Sequence, residues 1–199
     1  MSLLSYTELC ELIDRGVISK ANRFQQANTP YTPYNPYANV NGTSIDLTLD
    51  DIIRVEDSSE RHNQSIDISK KESIFTREVN VYKIQCGYAL APGEFILASS
   101  WEIFNLPNDI SAEYKLKSTM ARNGLEHLNA GWCDPSWSNS RLTLELINIT
   151  RHHHLVIRPG MKIGQVVFFK SEPVPDHASY ANKGQYNNQS MVTASKGLR

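Results

Sequence analysis

The chain has 199 residues, of which 40% are hydrophobic, and a formal net charge of -1; this length favours one domain with a buried core. Its near-neutral charge gives no general attraction to nucleic acid or to an anionic membrane, so neither is expected as a partner. The three cysteines lie far apart, no apolar stretch approaches the roughly 20 residues that span a bilayer, and no signal peptide is visible. These features indicate a reducing, cytoplasmic location.

The N-terminal segment predicts one short helix followed by irregular chain. Ser5 and Glu8 are spaced as a capping box, and Gly16 supplies a stop. Residues 24–42 are rich in Pro, Asn and Tyr, which predicts an irregular loop that either packs on the body or docks on a partner. A polar stretch at 56–73 predicts a second loop.

Most of the remaining chain is predicted to be β. Alternating polar and apolar residues, or Pro-Gly turns followed by apolar runs, predict strands within 44–49, 79–84, 94–98, 142–149 and 161–169. Many short strands with only two short helices indicate a mainly β protein, a distorted β-barrel or jelly-roll-like body formed by one domain over 1–199. The polar tail at 176–199 is predicted to be mobile until a ligand or partner orders it.

The segment 117–124 predicts a single helical turn between strands. Ser118 is a good N-cap and Gly124 a good residue to follow the helix, while Arg122 shares a face with Ser118. Free backbone N–H groups beside Lys117 favour phosphate, which makes this turn a candidate anion site. A capped surface turn with a solvated Lys and Arg is the alternative.

Small residues and two tryptophans follow at 129–137. Small residues allow the backbone to approach a ligand closely, and Asp134-Pro135 favours a turn. Trp132 and Trp137 either stack on a base or fill the core of a β protein.

Glu145 lies in the middle of a predicted strand with apolar neighbours on both faces. An acid in this position is unfavourable unless it is paired or used chemically. Desolvation raises the pKa of such a carboxyl, as a general acid or base working near neutral pH requires. The structural alternative is a salt bridge with an arginine such as Arg122.

Metal-based chemistry has little support in the sequence. His152, His153 and His154 are consecutive, so their side chains point in different directions before the following Pro-Gly turn. The His-x-Glu and Pro-Cys-x-x-Cys signature of zinc deaminases is missing, and no zinc is expected. Walker, dinucleotide-binding and nucleophile-elbow motifs are also missing.

Together, these segments resemble the dCTP deaminase and dUTPase superfamily in the order of its motifs and over most of the chain. The matching segments are Asn41–Leu47, Pro92–Ala98, Lys117–Leu125, Ala130-Gly131 with Asp134-Pro135, Leu142–Glu145, Arg158–Gln165 and Gly184–Gln189. Each segment alone is a weak signal, whereas their shared order is specific.

The resemblance implies a homotrimer with active sites at subunit interfaces, a dCTP- or dUTP-type nucleotide carrying Mg2+ on its triphosphate, and a C-terminal lid. It assigns Glu145 as proton shuttle, with Ser118 and Arg122 holding the attacking water. The other residues that it implies in substrate binding are Lys117, Thr119, Asn129, Ala130, Asp134, Tyr186 and Gln189. In this family, Glu at the Glu145 position marks deaminases, whereas dUTPases rely on an Asp in the preceding hairpin.

We therefore expect hydrolytic deamination of dCTP to dUTP. The alternatives are a bifunctional enzyme that releases dUMP, a dUTP diphosphatase with Asp134 as base, and a non-catalytic nucleotide sensor. Three departures from the family pattern bear on the site: Leu116 replaces a Gly, Gln185 replaces a Lys that contacts phosphate, and Asn129 replaces a small hydroxyl residue beside the base.

Overall fold

The computed structural model describes residues 1–19, 37–57 and 65–197. Its helices are α1 (Tyr6–Asp14), α2 (Ser118–Arg122) and α3 (Tyr180–Lys183), with 3-10 turns at Val81–Lys83 and Asp176–Ala178. Its strands are β1 (Ser2–Leu3), β2 (Ile18–Ser19), β3 (Ile45–Thr48), β4 (Ile52–Glu56), β5 (Thr76–Asn80), β6 (Tyr88–Leu90), β7 (Phe95–Ser99), β8 (Ile103–Phe104), β9 (Ile110–Leu116), β10 (Leu125–Glu126), β11 (Trp132–Cys133), β12 (Thr143–Asn148), β13 (Leu155–Ile157) and β14 (Lys162–Lys170). The mainly β prediction is confirmed.

Two five-stranded sheets form the body. In the first, β1, β14, β9 and β11 are neighbours in that order, and β3 also pairs with β14. In the second, the order is β10-β12-β7-β4-β5. The pairs are antiparallel, and the smaller pairs β13–β6 and β2–β8 flank the sheets. One cluster of buried side chains draws on both large sheets, including Phe168 from the first and Leu144 from the second, so the core lies between them.

The N-terminal helix forms as its cap predicts. The Ser5 backbone N–H donates to a Glu8 carboxylate oxygen at 2.8 Å, which supplies one of the missing partners at a helix start. Leu9 and Leu12 are buried on one face of α1, and Gly16 follows with a positive φ of 70°.

Two local predictions are wrong. The strand predicted over 79–84 ends at Asn80, whose side chain accepts a hydrogen bond from the Lys83 backbone N–H at 3.2 Å and caps a 3-10 turn. In α2 the N-cap is Lys117, and Ser118 is the first helical residue. Gly124 follows α2 with φ of 84°, as predicted.

The predicted loops are described in part. Of the 24–42 loop, residues 24–36 lie outside the described residues; within the remainder, the Tyr37 hydroxyl donates to Asp14 at 2.7 Å. Of the 56–73 loop, residues 58–64 lie outside them, and 65–73 contain turns and no strand. Helix α3 lies in the tail where no helix was predicted, and the mobility of that tail stays a prediction.

A buried ion pair anchors the beginning of β12. An Arg141 guanidinium nitrogen lies 2.8 Å from an Asp50 carboxylate oxygen, and both side chains are less than a tenth exposed. The same nitrogen donates to the Trp101 carbonyl at 2.9 Å, and the guanidinium carbon lies 4.4 Å from the Trp101 ring centroid. These contacts hold the start of β12 to the turn between β3 and β4.

A second buried acid, Glu102, lies in the same region. Its carboxylate accepts hydrogen bonds from the Thr48 backbone N–H at 3.0 Å and from the Thr48 hydroxyl at 2.7 Å. Burial is the main cause that raises the pKa of Glu102 to about 7. The carboxyl therefore ties β3 to the segment that follows β7.

Replacing Arg141 by Met is expected to destabilise the fold, because Asp50 is then buried without its cation. Breaking a buried pair from one side costs about 3–5 kcal/mol of the free energy of unfolding. Urea denaturation at a fixed protein concentration measures this loss. The double variant Arg141→Met, Asp50→Asn is the control and should recover most of it. A loss below ~1 kcal/mol in the single variant would show that the pair is not an anchor.

Candidate active site

A cavity of about 450 Å³ lies against one face of the second sheet. Phe95 and Leu97 from β7 and Thr143 and Glu145 from β12 line one side of it. The rest comes from the hairpin around 130–134, from the C-terminal segment, residues 180–195, and from Ile74, Trp137 and Leu142. Because side chains alternate along a strand, these residues reach the cavity while their neighbours enter the core.

Glu145 is placed by the alternation along β12. Leu144 and Leu146 are buried in the core, whereas Glu145 is half-buried and faces the cavity beside its cross-strand partner Leu97. Burial is the main cause that raises the pKa of Glu145 above its usual value. Within the described residues Glu145 makes no ion pair, and Arg122 does not line its cavity. The structure does not form the predicted alternative salt bridge.

The hairpin between β10 and β11 brings its backbone to the cavity. Leu128 and Asn129 both have a positive φ, 53° and 56°, which turns the chain tightly. Gly131 then packs on β9, where an added Cβ would lie 2.7 Å from the Tyr114 carbonyl oxygen. This close approach leaves Ala130 lining the cavity, while Asn129 is exposed and lies outside the cavity lining.

Asp134 is the second carboxylate of the cavity. Its side chain accepts a hydrogen bond from the Trp132 indole N–H at 3.0 Å, and both residues line the cavity. Asp134 is exposed, and Trp132 is 53% exposed. Trp137, by contrast, is buried and stacks on Phe104 with ring centroids 5.4 Å apart. One tryptophan is thus accessible to a ligand, while the other mainly fills the core.

The C-terminal segment closes one side of the cavity through hydrogen bonds to the chain before β12. The Trp137 indole N–H donates to the Tyr186 carbonyl at 2.7 Å, and the Arg141 backbone N–H donates to the Gln189 carbonyl at 2.8 Å. Tyr186 and Gln189 both line the cavity, and Gln189 is buried.

Other cavity residues were missed by the sequence analysis. In the C-terminal segment they are Tyr180 in α3 and Thr193, Ala194 and Ser195 near the end of the described chain. The fold-back of an irregular segment brings them there, and irregular segments have no periodicity that reveals a facing side. The hydrogen bond from the Thr193 backbone N–H to the Thr143 hydroxyl, at 3.4 Å, marks the contact with β12.

The predicted anion turn lies apart from this cavity. Lys117, Ser118, Thr119 and Arg122 are not among the lining residues, and the last three are exposed. The Lys117 ammonium nitrogen lies 2.6 Å from an Asp46 carboxylate oxygen. Burial opposes ionisation of Asp46, but its hydrogen bonds, chiefly that from Lys117, outweigh burial and lower its pKa. One chain therefore presents the predicted site in two separate parts.

Across residues 1–19, 37–57 and 65–197, no group of three or more His, Cys, Asp and Glu side chains is placed to hold a metal ion. His152, His153 and His154 are exposed. No helix in the same ranges has the length and apolar character needed to cross a membrane.

The fold is shared with a known nucleotide deaminase. The 2'-deoxycytidine 5'-triphosphate deaminase of Agrobacterium tumefaciens superposes with a TM-score of 0.58 at 18% identity, over 83% of this chain. The present chain spans 47% of that chain, about half its length. The mainly β architecture is accordingly that of a dCTP deaminase, within the superfamily fold that the sequence predicted.

The family follows from sequence comparison. The family model described as dCTP deaminase-like matches residues 7–171, and the chain therefore belongs to the dCTP deaminase-like family. A protein of Nocardioides sp. named dCTP deaminase, dUMP-forming is 34% identical over 94% of this chain and 95% of its own length. A protein of Streptomyces griseus subsp. griseus with the same name is 36% identical over 84% of this chain and 86% of its own length.

Proposed function

We propose that the chain hydrolyses dCTP to dUMP, releasing ammonia and pyrophosphate. The observation that carries this proposal is the position of Glu145, which is half-buried and faces a nucleotide-sized cavity. Burial raises the pKa of its carboxyl. The related proteins named dUMP-forming support dUMP as the final product. They favour the bifunctional alternative over our first expectation, in which dUTP is the end product.

Deamination at C4 of cytosine needs a base for the attacking water. Glu145 takes one proton from the water as its oxygen bonds to C4, and passes that proton to N3. It then takes the second proton from the new C4 hydroxyl and passes it to the departing amino group, so that the C4–N4 bond breaks and ammonia leaves as the C4 carbonyl forms. A carboxyl with a raised pKa suits both halves of this transfer, because it accepts and returns a proton near neutral pH. Ser118 and Arg122 would hold the water and stabilise the developing charge.

Removal of pyrophosphate needs a second water directed at the α-phosphorus. Asp134 is the other carboxylate in the cavity, and the hydrogen bond that it accepts from the Trp132 indole N–H orients its side chain. We assign Asp134 to align this water or to contact the deoxyribose. Backbone groups at Asn129 and Ala130 would read the edge of the base.

The triphosphate would be held by Lys117 and Thr119 from the anion turn and by Tyr186 and Gln189 from the C-terminal segment. Mg2+ would enter with the phosphates and neutralise part of their charge.

Because the anion turn and the Glu145 cavity are separate in one chain, we propose that a neighbouring copy supplies the turn. In a homotrimer, Ser118 and Arg122 of one subunit would then face Glu145 of the next. The exposure of Ser118, Thr119 and Arg122 leaves them available for such an interface.

Purified protein incubated with Mg2+ and dCTP is expected to release ammonia, pyrophosphate and dUMP, which chromatography resolves. Replacing Glu145 by Gln should leave the fold intact and reduce deamination by about 100- to 10,000-fold, as removal of a general base does. Glu113→Gln is the matched control, because Glu113 on β9 does not line the cavity.

Three other results would contradict parts of this proposal. Accumulation of dUTP from dCTP would show that the chain deaminates dCTP but does not remove pyrophosphate. Pyrophosphate release from dUTP with dCTP untouched would identify a dUTP diphosphatase that depends on Asp134. Nucleotide binding without turnover of either would identify a non-catalytic relative.

The deamination rate is expected to fall as the solution becomes acidic. The midpoint of this fall should lie at a higher pH than it would for a Glu with an ordinary pKa. Glu145 acts as a base only when ionised, and burial raises its pKa above the usual 4.5. Activity is therefore retained above the raised pKa and lost as the pH falls through it. A profile of kcat/KM against pH measures the midpoint. A midpoint at or below 4.5 would show that another group limits the reaction.

Mixing two inactive variants tests the shared site. Glu145→Gln alters the cavity and Arg122→Ala alters the anion turn, so the two variants damage different parts of the proposed site. Refolding them together should therefore restore part of the deamination activity in mixed trimers. Each variant refolded alone is the control. Failure of the mixture, with trimers detected by light scattering, would place both halves in one chain.

A further inference from the structure

The cavity has the wrong charge for a triphosphate. Among the lining residues that the structure describes there is no Lys or Arg, whereas Glu145 and Asp134 both bring carboxylates. A nucleoside triphosphate carries several negative charges, and phosphate is bound best by charge-assisted hydrogen bonds from cations. Cations must therefore reach the ligand from the rim of the cavity or from another subunit.

Lys196 places an ammonium group at this rim. The three residues before it, 193–195, line the cavity. Its backbone N–H donates to the Tyr186 hydroxyl at 3.1 Å, and its ammonium group donates to the Gln185 carbonyl at 2.6 Å. The ammonium nitrogen also lies 5.1 Å from the centroid of the Tyr186 ring, within the range of a cation–π interaction.

These contacts hold the ammonium group without neutralising it. In the described part of the chain Lys196 has no carboxylate partner, and its side chain is exposed. Lys117, by contrast, is paired with the buried Asp46. An ammonium group has three donors, and the Gln185 carbonyl uses one, so the others remain available to anionic oxygens.

We propose that Lys196 binds the phosphate groups of the nucleotide and that Tyr186 and Gln185 position it. This inference rests on the proposed function and adds a cation from the C-terminal segment to the site. The ammonium group would move with that segment, so phosphate binding would favour its closed position over the cavity.

The test is the affinity for dCTP, measured by titration calorimetry in the Glu145→Gln variant so that the ligand is not consumed. Adding Lys196→Met keeps the aliphatic stem and removes the charge; we expect dCTP to bind about 10-fold more weakly, within the range for a hydrogen bond to a charged group. Binding should also depend less on salt concentration. Lys196→Arg should retain the affinity. Lys83→Ala is the matched control, since Lys83 is exposed and outside the cavity lining.

Two further measurements separate a phosphate contact from loss of structure. Deoxycytidine, which has no phosphate, should bind the Met variant and its parent equally. The Lys196 ammonium group contacts the backbone carbonyl of residue 185, so a lysine side chain at position 185 starts close to the same place. Gln185→Lys is therefore expected to restore part of the dCTP affinity in the Met variant. In the otherwise unaltered enzyme, Lys196→Met should raise KM about 10-fold with kcat nearly unchanged.

Unchanged dCTP affinity in the Met variant, or an equal loss for deoxycytidine, would overturn the role of Lys196 while leaving the proposed function intact. If the Glu145→Gln parent binds no dCTP and the unaltered enzyme does not turn it over, the proposed function fails and this inference fails with it.

Discussion

The alternation of side chains along β12 is the constraint on which the site depends. A strand between β7 and β10 has one face in the core and one face turned away. Leu144 and Leu146 fix which face is buried, because a shift of one residue would move them out and bring Glu145 into the core. The Arg141–Asp50 pair holds the start of the same strand. The core thereby determines where the Glu145 carboxyl lies and how far it is desolvated.

The cavity is completed by parts of the chain that contribute little to the core. The hairpin before β11 approaches through Gly131, and the C-terminal segment is held by hydrogen bonds to residues such as Ser138 and Arg141. The anion turn directly follows β9 yet lies outside this cavity. In the function that we propose, the acid on β12, the C-terminal segment and the anion turn of a neighbouring copy would each bring different groups to one nucleotide.

The sequence could predict what depends on periodicity and local capping. The two-residue period around Glu145 and the capping box at Ser5 both correspond to the observed elements. It could not predict contacts made by irregular chain, so Tyr180 and Lys196 were missed. The same limit explains the error at 79–84: apolar alternation continues past Asn80, but a side-chain hydrogen bond turns the backbone there. The separation of the anion turn from the cavity depends on how the whole chain folds, which the local pattern of the turn does not contain.

Arg141 contacts both the anchored core and the C-terminal segment that covers the cavity. Its guanidinium pairs with Asp50, while its backbone N–H donates to Gln189 in the C-terminal segment. If that segment withdrew, Arg141 would lose only the hydrogen bond of its backbone N–H, which water can replace. The ion pair between its guanidinium and Asp50 would stay formed. Opening of this segment for substrate entry, as we propose, would therefore need only a local exchange of hydrogen bonds with solvent. Repeated opening and closing would then leave the cooperative unit formed by the two sheets undisturbed.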